Sequence, residues 1–429
     1  MEDITLAQEE IKTLRKEIQG HIYRYHVLDD PIISDYEYDQ LYKRLQELEG
    51  KYPQLITDDS PTQRSGSAVI DRFQKTAHPK PILSLANAFN KDEVRAWNER
   101  ILKLDHRVGK SGFVMEPKID GLTVVLHYEN GLFVKGATRG DGEIGEDVTA
   151  NLRTIRALPL KIPVESKPGR VPDRFVVRGE VYIKLKDFEE LNNRLLESGE
   201  KTYQNPRNTA SGSLRQLDSK ITSRRPLNLL TYEIVDSSDG LPAGQWETLQ
   251  HLKFYGFPTS ELAERVDSID EVVAHIDKWM NIRDAIPYEV DGVVIKLDDL
   301  QVARDLGVSG KDPRGAIALK YPAREVSTIL NGIGINVGRT GVITPYAILQ
   351  PVEVGGVTIR QATLHNFDFI KEKDIRIKDR VLVKRAGDVI PYVIGPLTGS
   401  RSGVEKTYEI PENCPSCGQK IEHLDGEVA

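Results

Sequence analysis

The chain has 429 residues, which at ~150 residues per domain corresponds to about three domains. With 39% hydrophobic and 29% charged residues, no apolar run near the ~18 residues that span a bilayer, and a start (Met-Glu-Asp-Ile-Thr) lacking the basic and apolar parts of a signal peptide, it reads as neither disordered, fibrous nor membrane-embedded. Two cysteines near the far end exclude a disulfide framework and fit a reducing, cytoplasmic setting, while a net charge of −7 argues only weakly against a nucleic-acid partner.

Ile11, Leu14, Ile18, Ile22 and Tyr25 recur at spacings of three and four, which predicts an amphipathic helix that Asp30-Pro31 breaks. Ser34, with Glu37 three positions on, forms a capping box for a second helix whose apolar face is Tyr38, Leu41, Leu45 and Leu48. From about residue 76 the texture turns to β. Leu122, Val124, Leu126 and Tyr128 alternate, Asn130-Gly131 makes a turn, and Leu132 and Val134 resume, a hairpin pattern. Strand-like runs follow at 175–183, 227–235, 291–297 and 316–322, with helical stretches around 90–104, 186–198 and 268–284. Without regular βαβ alternation this predicts an α+β domain on antiparallel sheets. Beyond 326 short Gly-rich, β-branched strands predict a small barrel. The expected units are 1–75 (helical), 76–325, 326–405 and 406–429. Residues 1–75 carry 10 Lys/Arg against 15 Asp/Glu, and 326–410 carry 11 against 8. An acidic front and a basic rear suggest separate partners, although uneven surface charge without meaning explains them equally well.

The strongest chemical signal is Glu116-Pro-Lys118-Ile-Asp120-Gly121, a lysine between strand-like residues with carboxylates on either side. A lysine amine becomes a nucleophile when its position is fixed and its pKa lowered. A surface lysine in a turn is the plain alternative, because K-x-D-G is short. Other segments raise the odds. Arg139-Gly-Asp-Gly-Glu-Ile-Gly is a turn that could offer backbone N–H groups and a guanidinium to a phosphate, Glu180 stands in a strand, and Lys296 and Lys320 interrupt apolar strands. Such lysines, if they converge with Arg139, make a cationic clamp for a phosphate or pyrophosphate.

EPKIDGL, ATRGDGEIGEDVT, VVRGEVYI, EVDGVVIKL and ALKYP, in this order, closely resemble the nucleotidyltransferase motifs of the bacterial NAD-dependent DNA ligases. YRYHVLDDPIISDYEYD (23–39) resembles their NAD-specific helical domain, which ATP-dependent DNA ligases, RNA ligases and capping enzymes lack. The resemblance implies a helical NAD domain, an adenylation domain, an OB-fold and the start of a zinc finger. Lys118 would attack the adenylyl phosphorus of NAD, releasing nicotinamide mononucleotide (NMN). AMP would then pass to the 5′-phosphate of a DNA nick, which the 3′-hydroxyl seals. Transfer of this kind needs positioning and charge stabilisation, which suits a site rich in Lys, Arg and carboxylates.

Carried over residue by residue, the resemblance places Glu116 beside the adenylate and Arg139 and Glu180 on the nucleotide, with Glu180 on the ribose or a metal. Lys296 and Lys320 would face the α-phosphate, Ser84 and Leu85 the adenine side, and Tyr232 would stack on adenine. Asp120 and Asp291 would orient Lys118 or help place Mg²⁺ (or Mn²⁺). Asp35, Tyr38 and Asp39 share one helical face by their spacing, and with Tyr25, His26, Tyr36 and Glu37 they belong to the segment implied to grip NMN. A helix-start carboxylate for Asp35 and a core role for Tyr38 are the plainer alternatives. Arg207 and Arg215 match arginines facing the nucleotide or nick phosphate, and RIKDRVLVKR (376–385) adds a basic strip suited to sequence-independent phosphate contact.

Cys414 and Cys417 are half of a zinc knuckle. The family closes such a site with two further cysteines, absent here, and nothing in the family supports His423 as a substitute. The chain is therefore expected to be a truncated piece that adenylates itself but seals nicks poorly, a cytoplasmic, nucleoid-acting bacterial monomer whose partner is nicked double-stranded DNA. An ATP- or GTP-dependent nucleotidyltransferase and a non-catalytic OB-fold binder are the competing readings.

Overall fold

A computed structural model describes residues 2–64, 69–164, 171–203, 205–322, 324–338, 341–354, 357–385, 391–414 and 416–421. The chain forms two compact units, Met1–Tyr321 and Pro322–Ala429.

The first unit begins with two helices, Glu2–His26 and Asp35–Lys51, packed through Ile11, Leu14, Ile18, Ile22, Leu45 and Leu48. Each such side chain contributes roughly 1.5–3 kcal/mol when fully buried, which offsets the cost of ordering two helices. The capping box is present: Ser34 Oγ accepts the Glu37 N–H, and Glu37 accepts the Ser34 N–H at 2.8 Å. Tyr25 departs from the expected apolar face. It is 51% exposed, whereas Tyr23 is buried. The end of this helix meets the segment 156–161 on its Gln19, Ile22 and Tyr23 side, so the buried stripe shifts there.

Two sheets follow. One has the order Asn87–Ala88, Ala316–Lys320, Val290–Leu297, Phe113–Ile119, Glu264–Val266. The other runs Leu132–Thr138, Leu122–Glu129, Arg174–Tyr182, Asn228–Ser237. Every pairing is antiparallel except Asn87–Ala88 on Ala316–Lys320, which agrees with the α+β expectation. The hairpin turn sits where the sequence puts it, with Asn130 and Gly131 both at positive φ. Each sheet has its own core, one with Trp97, Met115 and Trp279, the other with Tyr128, Leu152 and Phe257. The expected helices form at Lys91–Leu104, Leu185–Glu197 and Ile269–Ile282.

The chain steps from the first sheet to the second at Asp120-Gly121. A Cβ on Gly121 would lie 2.3 Å from the Val181 carbonyl oxygen and 2.9 Å from Glu180 Cγ. Only glycine lets the end of the Phe113–Ile119 strand come this close to the Arg174–Tyr182 strand.

In the second unit Arg324–Val337, Ile343–Val354, Val357–Thr363, Tyr392–Pro396 and Arg380–Arg385 close into a five-stranded barrel around Leu330, Ala347, Ile359, Val381 and Val393, the small barrel expected. Its basic strip is partly paired internally, Arg376 with Asp374 at 3.0 Å and Lys384 with Glu325 at 3.1 Å. Among the described residues no helix is long and apolar enough to cross a membrane.

Candidate active site

Lys118 lies in a row fixed by strand register. Gly292 of the middle strand stands opposite Lys118 on one side and Lys320 on the other. The side chains of Lys118 and Lys320 therefore rise together into a cleft of about 730 Å³ between the sheets. Lys118 Nζ lies 3.0 Å from both carboxylate oxygens of Asp291, and Lys320 Nζ donates to Asp291 Oδ2. Burial, with the neighbouring Lys118 charge second, lowers the Lys320 pKa. Asp120 accepts from Arg207 at 3.1 Å, and burial first, then the Asp291 charge, raises its pKa.

Lys296 stands elsewhere. Its register partner is Val114, four positions from Lys118 along the strand, a displacement of roughly 13 Å at ~3.3 Å per residue. Its Nζ is 2.8 Å from Glu116 Oε1 and 5.1 Å from the centre of the Tyr232 ring. The expectation that Lys296 and Lys320 face one α-phosphate meets two lysines with different partners, Asp291 for Lys320 and Glu116 for Lys296. Lys320 belongs to the nucleophile end of the cleft and Lys296 to the other end, with Glu116 and Tyr232.

Glu180 lies on the wall beneath, accepting hydroxyl bonds from Thr123 at 3.0 Å and Tyr232 at 3.2 Å. Burial pushes its carboxyl up to about 7. Ser84 and Leu85 line the same cleft, and Arg139 reaches in to bond Ser84 Oγ at 3.1 Å. Arg139 Nε is buried without a hydrogen-bond partner among the described residues, an orphan donor that an anionic ligand would satisfy. The backbone of the turn behind it does not act as an anion cradle. The N–H groups of Asp141, Gly142, Glu143 and Ile144 are all taken within the turn, by the Ile144 and Arg139 carbonyls and the Asp141 carboxylate.

The remaining candidates lie outside the cleft. Arg215 is forked onto Glu146 at 2.7 and 2.9 Å, so of the two arginines only Arg207 lines it. Tyr25, His26, Asp35, Tyr36, Glu37, Tyr38 and Asp39 line no part of it. Asp35, Tyr36, Glu37 and Asp39 are exposed, and Glu37 is committed to Ser34. Tyr38 is half-buried, packed against the helix-pair core and stacked on Tyr42 at 6.1 Å. His26 is half-buried, and burial first, then the charges of Arg156, Arg64 and Lys184, lowers its pKa to about 4. Among the lining residues that escaped the sequence are Gln245, Arg178 and Thr123. Arg178 carried a visible signal, a charge within the apolar 175–183 strand, whereas nothing marked Gln245.

A Mg²⁺ ion that bridges phosphates needs only one or two carboxylates, with water and phosphate oxygens completing the octahedron. Among the described residues no three His, Cys, Asp or Glu side chains form a metal cluster, and Asp291, Glu116 and Asp120 are already tied to cations. Glu180, bonded only by hydroxyls, is the carboxylate free to contribute, so the donor set fits a cation carried in on substrate phosphates. Zinc does not fit the residues present. Cys414 and Cys417 flank a turn closed by Gly418 N–H to the Cys414 carbonyl at 2.9 Å, but they are two ligands of the four a structural site requires, and His423 lies outside the described residues.

Family descriptions match almost the whole chain: the NAD-dependent DNA ligase adenylation domain over residues 70–324, the NAD-dependent DNA ligase OB-fold domain over 327–405, and the DNA ligase-like N-terminal NAD⁺-binding domain over 5–66. A DNA ligase of Roseiflexus castenholzii is 52% identical over 97% of this chain and 59% of its own length. The DNA ligase of Chloroflexus aurantiacus is 51% identical over 99% of this chain and 61% of its own length, and that of Anoxybacillus flavithermus 46% over 99% and 62%. The chain spans about three fifths of the length of the curated relatives it matches. It belongs to the NAD-dependent DNA ligases.

Proposed function

We propose that this chain, as a member of the NAD-dependent DNA ligases, carries out their adenylation step, with Lys118 as the nucleophile and NAD as the donor. Lys118 Nζ, as the free amine, attacks the adenylyl phosphorus. The P–O bond to NMN breaks, the amine sheds a proton, and AMP remains on nitrogen. What carries the reading is the placement of Lys118 beside Asp291 and Lys320 in a cleft of about 730 Å³, room enough for a nucleotide. Asp291 holds the amine in place, Lys320 and Arg139 meet phosphate charge, and Glu180 accepts the ribose hydroxyls. Mg²⁺ on the phosphates supplies further charge neutralisation when bound. The helical unit, through Asp35, Tyr38 and the exposed segment around them, receives the NMN half. Residues 1–75, 76–325, 326–405 and 406–429 then serve as NMN recognition, adenylation, DNA contact through the barrel, and the start of a zinc finger.

The AMP passes to the 5′-phosphate of nicked duplex DNA, where the 3′-hydroxyl displaces it. Arg207, at the mouth beside Asp120, is suited to that phosphate. The protein acts as a monomer in the bacterial cytoplasm, at the nucleoid, and on its own this chain seals nicks far more slowly than it adenylates itself. Intact-mass measurement after incubation with Mg²⁺ and either NAD or ATP tests the cofactor assignment. One AMP adduct from NAD with NMN released is expected, and an adduct from ATP alone would overturn it.

A further inference from the structure

Glu116 and Lys296 form an ion pair at the end of the cleft away from the nucleophile, and a third residue fixes how that pair is presented. Gln245 is only 3% exposed. Its Nε2 lies 2.8 Å from Glu116 Oε1 and 2.9 Å from the Tyr232 carbonyl oxygen. Both partners are acceptors, so the amide nitrogen must face them, and its two hydrogens are both used. Its backbone is anchored equally firmly. Gln245 N–H donates to the Asp298 carbonyl at 2.8 Å, and the Trp246 N–H to the Asp298 carboxylate at 2.8 Å, where the helix Gln245–Tyr255 begins. Asp298 is held in turn by Arg265 at 2.6 Å.

The Lys296 ammonium and the Gln245 amide converge on the same oxygen of Glu116, Oε1. Two donors on Oε1 fix the rotation of the carboxylate, and its second oxygen keeps the acceptor capacity that a base edge beside the Lys296 donor would meet. A planar base lying by Tyr232 meets an acceptor and a cationic donor side by side. Adenine presents the matching edge, an exocyclic amine next to the unprotonated N1. Hypoxanthine presents the reverse, a carbonyl next to N1–H.

On the adenylation reading above, we propose that Gln245 is a positioning residue for base selection: it holds Glu116 and Lys296 in the one orientation that accepts an adenine edge and rejects a hypoxanthine edge. A site whose polar groups would be left unpaired or opposed rejects the wrong partner far more strongly than a shape difference does.

The test compares rates of adduct formation from NAD and from nicotinamide hypoxanthine dinucleotide, by quenched intact-mass measurement with Mg²⁺. Wild-type protein should prefer NAD by at least ~100-fold in kcat/KM. Gln245→Met, similar in length and lacking the donor, should lose most of that preference through a higher KM for NAD, with the plateau rate little changed. The amine-donating Gln245→Lys should recover part of it. A wild type that forms adduct equally well from both dinucleotides overturns the proposal, whatever the variants do. So does a Gln245→Met protein with wild-type melting temperature and an unchanged ratio of the two rates. Absence of any adduct from NAD in the wild type is a different failure, that of the adenylation assignment.

Discussion

The cleft and the helical pair belong to one compact unit, yet their implied functional residues stand in opposite conditions. In the cleft Lys118, Lys320, Asp291, Glu116 and Lys296 are already bonded to one another, on strands whose register sets their order. On the helical pair Asp35, Tyr36 and Asp39 are exposed and line no part of the cleft. Strands buried on both faces preorganise chemistry before any substrate arrives. A two-helix unit held through its apolar stripe presents a ready surface but cannot by itself deliver it to the nucleophile. On the proposed function, the first region would serve the bond-making step and the second the handing over of the dinucleotide.

The sharpest way to break this division is to damage each side separately. Asp35→Ala or Tyr38→Ala should slow adenylation by NAD about 100-fold, while sealing of DNA that already carries the 5′-adenylate falls far less. Equal losses in both assays would show that the helices have no role specific to NMN. On the cleft side, Gly121→Ala forces a Cβ to within 2.3 Å of the Val181 carbonyl, so the crossing between the sheets must shift. We expect about 1–3 kcal/mol of lost stability by denaturant titration, with adduct formation slowed more than the melting temperature predicts.

Two effects on stability run in opposite directions with pH. The folded state raises the Glu180 pKa from 4.5 to about 7, so folding holds that proton more tightly than the unfolded chain does. Wild type should lose stability relative to Glu180→Gln as pH rises from 4.5 to about 7, on the order of 3 kcal/mol, with no further change above. His26 is lowered from 6.5 to about 4, so its contribution is present above 6.5 and is lost as pH falls through that window. His26→Gln should flatten this acid limb by on the order of 1 kcal/mol, read by thermal melts between pH 4 and 7.

Much of this was legible in the sequence because local periodicity and burial agree. The capping box at Ser34, the Asn130-Gly131 hairpin and the four strand-like runs all form as their patterns predict. The motif lysines and carboxylates could be gathered into one site because each sits in or beside a strand. Where the sequence could not reach, the missing information was long-range. The separation of Lys296 from Lys118 depends on cross-strand register, which alternation alone does not set. Tyr25 obeys the helical period, yet the helix end packs on residues 156–161, more than a hundred positions away. Gln245 is polar, carries no charge and lies in no motif, so only the hydrogen bonds to Glu116 and Tyr232 reveal it.

The central claim is that one particular amine among the four lysines lining the cleft (Lys80, Lys118, Lys296 and Lys320) takes the AMP. Protein incubated with NAD and Mg²⁺, then digested and sequenced by tandem mass spectrometry, should carry AMP on the peptide containing Lys118, and Lys118→Ala should carry none. AMP on Lys320 or Lys296 in the wild-type protein, or an undiminished adduct in Lys118→Ala, would contradict it.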